Sequence, residues 1–208
     1  MAQNEIVLSN LVFANRLQGN TMAKLTVFNQ ISLDGYFTDT QEDMSWAHKA
    51  PDDVEWAEFV NSNAQGGGSL LFGRVTYEMM ASFWPTPVAA ERMPIVAERM
   101  NRLQKFVFSR SLSEATWSNT TLIKGELADE VRRLKQDSSN DITILGSGSI
   151  VAQLSAERLI DAYQLVLCPL ALGGGRSLFE GLPSRLDLRL LETRVFNNGS
   201  VVLTYEPK

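Results

Sequence analysis

Ile142-Thr143-Ile144-Leu145-Gly146-Ser147-Gly148-Ser149 is the stretch on which the fold turns. An apolar, β-branched run suited to a buried strand passes straight into a Gly-Ser-Gly turn, and a helix is predicted over Ile150–Ala156. Two further apolar runs upstream likewise end in small, hydroxyl or basic residues, Leu71-Phe72-Gly73-Arg74-Val75-Thr76 and Phe106-Val107-Phe108-Ser109-Arg110. In an open α/β sheet, ligands sit beyond the carboxyl ends of the strands. Small, hydroxyl and basic residues delivered there can hold phosphates through backbone N–H groups, helix N-termini and Arg forks. Three such ends in series point to an extended, multiply phosphorylated ligand, for which a dinucleotide is the natural candidate.

Working outward, strands and helices alternate. Leu25–Ile31 reads as a first strand ending at Ser32-Leu33-Asp34-Gly35, and Asp52 or Asp53 can N-cap a helix with Trp56, Phe59 and Val60 on one face. Gly66-Gly67-Gly68 breaks the chain before strand Ser69–Phe72. Helix Val75–Ser82 is stopped by Pro85 and Pro87, and Ala89–Leu103 reads as one further helix. Lys105–Phe108 and Thr121–Ile123 are strands. Helix Leu127–Asp137 follows, with Leu127, Val131 and Leu134 at i, i+4 and i+7. After Ala162–Leu167, two strands, Leu186–Leu191 and Ser200–Tyr205, meet across Asn197-Asn198-Gly199 as a hairpin. The expected fold is α/β: a mixed, mostly parallel sheet covered by helices, with an antiparallel C-terminal hairpin.

Composition narrows the function classes. The chain has 208 residues, 44% hydrophobic and 21% charged, with a net charge of −5. That is an ordinary globular balance, and it argues against general affinity for nucleic acid or an anionic membrane. Cys168 is the only cysteine and His48 the only histidine, so no internal disulfide and no Cys/His metal site is expected. Residues 1–21 read as an extension and 22–208 as one domain. Asn10, Asn15 and Arg16 interrupt the apolar Ile6–Leu17, which makes it a poor signal peptide and too short to span a bilayer. A cytoplasmic protein is expected.

The three strand ends offer different chemistry. Gly73, Arg74 and Thr76 suit a pyrophosphate cradle, or a plain strand-to-helix turn. Ser109 and Arg110 suit a ribose 2′-phosphate, which a guanidinium matches bidentately, or a solvated loop. Gly146, Ser147, Gly148 and Ser149 let the backbone approach a phosphate closely. The third glycine of the Rossmann fingerprint is missing, with Val151 in its place, and no acidic residue closes the next strand. An ordinary Rossmann domain is therefore disfavoured.

Taken in order, Ser32-Leu33-Asp34-Gly35, Phe72-Gly73-Arg74-Val75-Thr76-Tyr77-Glu78, Phe108-Ser109-Arg110 and Ile144-Leu145-Gly146-Ser147-Gly148 resemble the dihydrofolate reductase superfamily. The nearer resemblance is to the branch containing the reductase domain of the bifunctional riboflavin-biosynthesis deaminase-reductase, which Leu170-Ala171-Leu172-Gly173-Gly174-Gly175-Arg176-Ser177-Leu178-Phe179 also matches. The resemblance covers Met22 to Lys208. It implies a three-layer α/β/α dihydrofolate reductase-like fold and NADPH held by Gly73, Arg74, Thr76 and the Gly146–Ser149 turn. Ser109 and Arg110 would lie on the 2′-phosphate. A homodimer is expected.

On the substrate side, Pro51-Asp52-Asp53-Val54-Glu55-Trp56 places Asp53 on the carboxylate of the family's pterin pocket, with Trp46 as a pocket wall. Shielding by aromatics would raise its pKa and suit it to proton transfer. Asp53 equally suits a helix cap. Asp34 is a second acid/base candidate, or the residue of an Asp-Gly turn. Phe83 and Trp84 suit either the core or an aromatic substrate, Glu180 a substrate mouth or a surface carboxylate, and Gly173-Gly174-Gly175 a mobile loop beside the substrate. Departures from the family limit the assignment. Leu103 stands where a folate reductase clamps the glutamate tail, and Ser82-Phe83-Trp84-Pro85 replaces an Asp-Asp-Pro-type segment. The expected activity is hydride transfer to a small heterocycle or carbonyl compound, such as a pteridine, dihydrofolate-like molecule or pyrimidine sugar phosphate of the 5-amino-6-(5-phosphoribosylamino)uracil type. The alternative is an NADP-binding module with weak or no catalysis and a regulatory role.

Overall fold

The computed structural model describes residues 22–50, 52–65 and 68–208; the expected extension 1–21, Pro51 and the Gly66-Gly67 break lie outside the described residues. Ten strands are formed: β1 (Leu25–Ser32), β2 (Tyr36–Thr38), β3 (Ser69–Gly73), β4 (Lys105–Phe108), β5 (Thr120–Ile123), β6 (Ile142–Leu145), β7 (Ala162–Cys168), β8 (Arg176–Ser177), β9 (Leu188–Val195) and β10 (Val201–Pro207). The helices are α1 (Val54–Gln65), α2 (Arg74–Phe83), α3 (Pro87–Arg92), α4 (Pro94–Arg102), α5 (Leu127–Asp137) and α6 (Gly148–Ala156).

Eight strands make one sheet in the order β5-β4-β3-β6-β1-β7-β10-β9. The six from β5 to β7 are parallel, and β10 and β9 add the antiparallel hairpin. Successive side chains along a strand face opposite layers. Leu71, Val27 and Ile144 turn to one face and pack with Val131 of α5 and Ile150, Val151 and Leu154 of α6. Leu70, Phe72 and Val107 turn to the other, against Tyr77 of α2 and Val96 and Met100 of α4. Phe59 of α1 continues that face over Val166, Cys168 and Val202. Both faces are buried, as a parallel sheet requires, and the result is three layers.

The chain moves outward from β3 to β5 and then returns to insert β6 between β3 and β1, with Ile144 in register with both Leu71 and Val27. That reversal opens a crevice at the carboxyl ends of the central strands. One expectation is corrected and one element is new. The single helix over Ala89–Leu103 is two helices, because Pro94 has no N–H to donate and pushes Met93 out of the helical region, to φ −140° and ψ 62°. A small second sheet, β2 paired with β8, was not anticipated.

Candidate functional site

The site is assembled at the β6–α6 turn. Gly146 and Ser147 are both left-handed, at φ 62° and 59°. Asn29 of β1, only 3% exposed, holds the Gly146 peptide from both sides: its Oδ1 accepts from the amide at 3.0 Å and its Nδ2 donates to the carbonyl at 3.4 Å. Ser147 Oγ accepts from the Gly73 amide at 2.6 Å and donates to Thr76 Oγ1 at 3.0 Å. β1 and the ends of β3 and β6 are thus tied together by partly buried polar contacts. Gly146 must be glycine here, since a Cβ would stand 2.8 Å from Thr76 Oγ1.

Around this turn lies a cleft of about 460 Å³. All nine residues expected to hold a cofactor (Gly73, Arg74, Thr76, Ser109, Arg110, Gly146, Ser147, Gly148 and Ser149) line it. The first turns of α2, α5 and α6 open onto it too, and the amides there have no carbonyl one turn back within their own helix. Neither α2 nor α6 carries an acidic residue in its first turn, so both positive helix ends are uncompensated. Arg74 and Arg110 sit on the rim, paired with Glu78 at 2.8 Å and Glu126 at 2.6 Å. Such a site can hold several anionic oxygens spread along three adjacent strands.

The hydroxyls divide into two roles. Those of Thr76 and Ser147 lock the turn rather than stand free for a ligand. Ser109 Oγ accepts from the Ser111 and Leu112 amides at 3.2 and 2.9 Å, which orders the loop that carries Arg110. Asn29 escaped notice in the sequence, although its signal is there: it is a polar residue in the inward series Leu25, Val27, Asn29, Ile31. Phe37, Met44, Met79, Glu126 and Arg176 also line the cleft. For Arg176 no local pattern exists, because its strand is two residues long.

The residues expected around the substrate are placed elsewhere. Asp53 caps α1: its Oδ1 accepts from the Trp56 amide at 2.9 Å and its Oδ2 from Asn198 Nδ2 at 2.6 Å. Both oxygens are therefore engaged. Asp34 Oδ2 accepts from the Leu172 and Gly173 amides at 3.1 and 2.7 Å, and Ser32 Oγ donates to its Oδ1 at 2.6 Å. These bonds, the serine's first, hold its pKa down at about 2, the reverse of the shift a general acid at neutral pH needs. They also hold the start of the Gly173–Gly175 loop, at the Leu172 and Gly173 amides.

Phe83 and Trp84 stack edge to face at the C-terminal end of α2, opposite the end that opens on the cleft, and Trp84 packs into the core. Trp46 packs beside the Phe59 cluster and donates to the Asp43 carbonyl. None of Asp34, Trp46, Asp53, Phe83 and Trp84 lines the cleft. Glu180 lines a separate groove of about 700 Å³ over α5 and α6 that shares Glu126, Leu127, Ser149 and Gln153 with it. Among the described residues there is no cluster of metal-ligating side chains and no helix long and apolar enough to cross a membrane.

Known proteins are similar to this chain in sequence and fold. The family model described as the RibD C-terminal domain matches residues 23–202. The uncharacterized protein YyaP of Bacillus subtilis (strain 168) is 25% identical over 175 residues, covering 84% of this chain and 90% of that protein. A solved structure of a Shewanella sp. PV-4 protein assigned to riboflavin biosynthesis is similar at a TM-score of 0.70 and 26% identity, over 89% of this chain and 99% of its own. A dihydrofolate reductase from Enterococcus faecalis, solved with NADP(H), shares the fold at a TM-score of 0.59 and 14% identity, over 89% of this chain and 96% of that one.

Proposed function

The chain belongs to the RibD C-terminal domain family, and on that premise we propose that it is an NADPH-dependent reductase acting on a small heterocyclic or carbonyl substrate. One observation carries the reading: three glycine- or arginine-bearing strand ends converge on a single cleft together with three helix N-termini. A reductase fold and a dinucleotide-sized anion site then coincide. The E. faecalis enzyme of the same fold was solved with NADP(H), which supports the same choice of cofactor.

The residues present fit a dinucleotide phosphate. Glycine at position 146 lets the turn close onto Thr76 where no Cβ would fit, and the first-turn amides of α6 beyond it are free to meet a pyrophosphate. Arg74 and the first-turn amides of α2 and α6 would hold that group. Ser109 and Arg110 would hold the 2′-phosphate, with Arg110 leaving Glu126 to do so. When bound, a reduced nicotinamide supplies a hydride to an electrophilic carbon. The chain contributes orientation and charge, fixed by Asn29 and the locked turn.

Proton supply separates this reading from the alternative of an NADP-binding module with weak catalysis. Both carboxylates considered for that task, Asp34 and Asp53, are engaged in structural hydrogen bonds. An efficient reductase of this design takes its proton from solvent or from the substrate's own surroundings. Calorimetric titration with NADPH, followed by absorbance at the reduced-nicotinamide band with pteridine and pyrimidine substrates, decides the matter. Binding with turnover supports the reductase, binding without turnover on any substrate supports the module, and absence of NADPH binding refutes both.

A further inference from the structure

Three guanidiniums border the cleft, and the dinucleotide accounts for two. Arg110 follows β4 and Arg74 follows β3, whereas Arg176 comes to the cleft from a different element. It is carried by β8, in register with Thr38 of β2, and β2 follows directly on β1. Along β4-β3-β6-β1, a spacing of about 4.8 Å per strand puts β1 roughly 14 Å from β4. A dinucleotide with its 2′-phosphate on Arg110 would span that distance and bring its far end toward the β1 side, where β2 and β8 lie.

The fold aims Arg176 deliberately. Gly175 has φ 141°, and a Cβ there would stand 1.9 Å from the Thr38 carbonyl oxygen, so only glycine lets β8 pair with β2. Asp34 pins the amides of Leu172 and Gly173 just upstream. The only carboxylate within ion-pair distance of Arg176, among the described residues, is that of Glu42, at 3.2 Å. The two side chains are 50% and 63% exposed, so the pair is weak and readily exchanged. Glu42 itself is held at φ 63°, an uncommon conformation for a non-glycine residue. Phe37, Met44 and Met79 give the cleft an apolar lining, and the Thr38 hydroxyl is buried with no hydrogen-bond partner.

We propose that Arg176 is the substrate-side anchor, exchanging Glu42 for an anionic oxygen group, a phosphate monoester or a carboxylate, on the small molecule that meets the dinucleotide at the β1 end. The assignment rests on the dinucleotide reading given above. It makes the substrate an anion whose apolar or heterocyclic part lies along Phe37, Met44 and Met79. Arg176 acts in specificity and takes no part in bond making.

The test is calorimetry on the unaltered protein and on Arg176→Met, first with NADP+ alone. Ribose 5-phosphate, glutarate and neutral ribose are then titrated into the NADP+-saturated protein and into the free protein. The unaltered protein is expected to bind at least one of the two anions and not ribose, and the tighter arm identifies phosphate or carboxylate. Arg176→Met is expected to lose that anion tenfold or more while holding NADP+ within twofold. Gly175→Ala, which displaces Arg176 but keeps its charge, should lose the anion likewise. Failure of the unaltered protein to bind either anion overturns the proposal, as does unchanged anion affinity in Arg176→Met. Parallel loss of NADP+ and anion overturns it too, by assigning Arg176 to the dinucleotide. If NADP+ fails to bind the unaltered protein, the dinucleotide reading falls, and the free-protein titrations still judge Arg176.

Discussion

If the cleft holds NADPH as proposed, replacing Arg110 with Ala should make it indifferent to the 2′-phosphate. Arg110 Nη2 lies 2.6 Å from Glu126 Oε1, with the two side chains 74% and 76% exposed. Breaking so exposed a pair costs about 0–1 kcal/mol. A charge-assisted contact with a phosphate contributes about 1.5–3 kcal/mol. The net selectivity carried by Arg110 is therefore roughly 0.5–3 kcal/mol, or about 2- to 150-fold in Kd. Calorimetric titration at 0.15 M salt with NADPH and NADH should show that loss for NADPH in Arg110→Ala, with NADH affinity unchanged within twofold. Glu126→Gln removes the competing carboxylate, and should tighten NADPH by up to about fivefold, the worth of an exposed ion pair. Equal affinity of the unaltered protein for the two dinucleotides, or equal loss of both in Arg110→Ala, would refute the reasoning.

Three further outcomes follow from the geometry. Gly146→Val puts a side chain against Thr76 at a left-handed position, so NADPH binding should disappear and stability should fall by at least about 1–2 kcal/mol; an unchanged titration would reduce the turn to a structural role. Asp34 has a folded-state pKa held at about 2, below its ordinary value of 3.8, so its stabilising effect is full above about pH 4 and is lost as pH falls toward 2. Asp34→Asn should lower the melting temperature at pH 7 and converge with the unaltered protein near pH 2. Lys105 is fully buried, donates to the Met100, Asn101 and Leu103 carbonyls at the end of α4, and stands over Trp117. Burial lowers its pKa to about 8 from 10.5, so between about pH 8 and pH 10.5 the unfolded chain binds more protons and stability rises with pH. Lys105→Met should lack that rise relative to the unaltered protein in denaturant titrations, and at pH 7 should lose about 2–4 kcal/mol through the uncapped carbonyls.

Local sequence determined the strands that build the cleft and the residues that line it at the ends of β3, β4 and β6. Phe72-Gly73-Arg74, Phe108-Ser109-Arg110 and Leu145-Gly146-Ser147 announce themselves because a buried parallel strand must be apolar and a close backbone approach must be glycine. The break at Pro94, which the single-helix reading of Ala89–Leu103 passes over, has its signal in the local sequence too, since a proline inside a helical pattern removes a donor. Strand order has no such signal. Only the insertion of β6 between β3 and β1 brings Asn29 to Gly146 across 117 positions, and Ser147 to Gly73 across 74. The fate of Asp53 was likewise decided at long range: its motif suits a proton donor or a helix cap, and Asn198, 145 positions away, takes its second oxygen. Arg176 reaches the cleft on a two-residue strand too short to leave a periodic trace. Periodicity and turn chemistry report on neighbours along the chain, whereas a polar side chain's role is set by whichever partner tertiary packing brings within hydrogen-bond reach, and that partner leaves no mark in the local sequence.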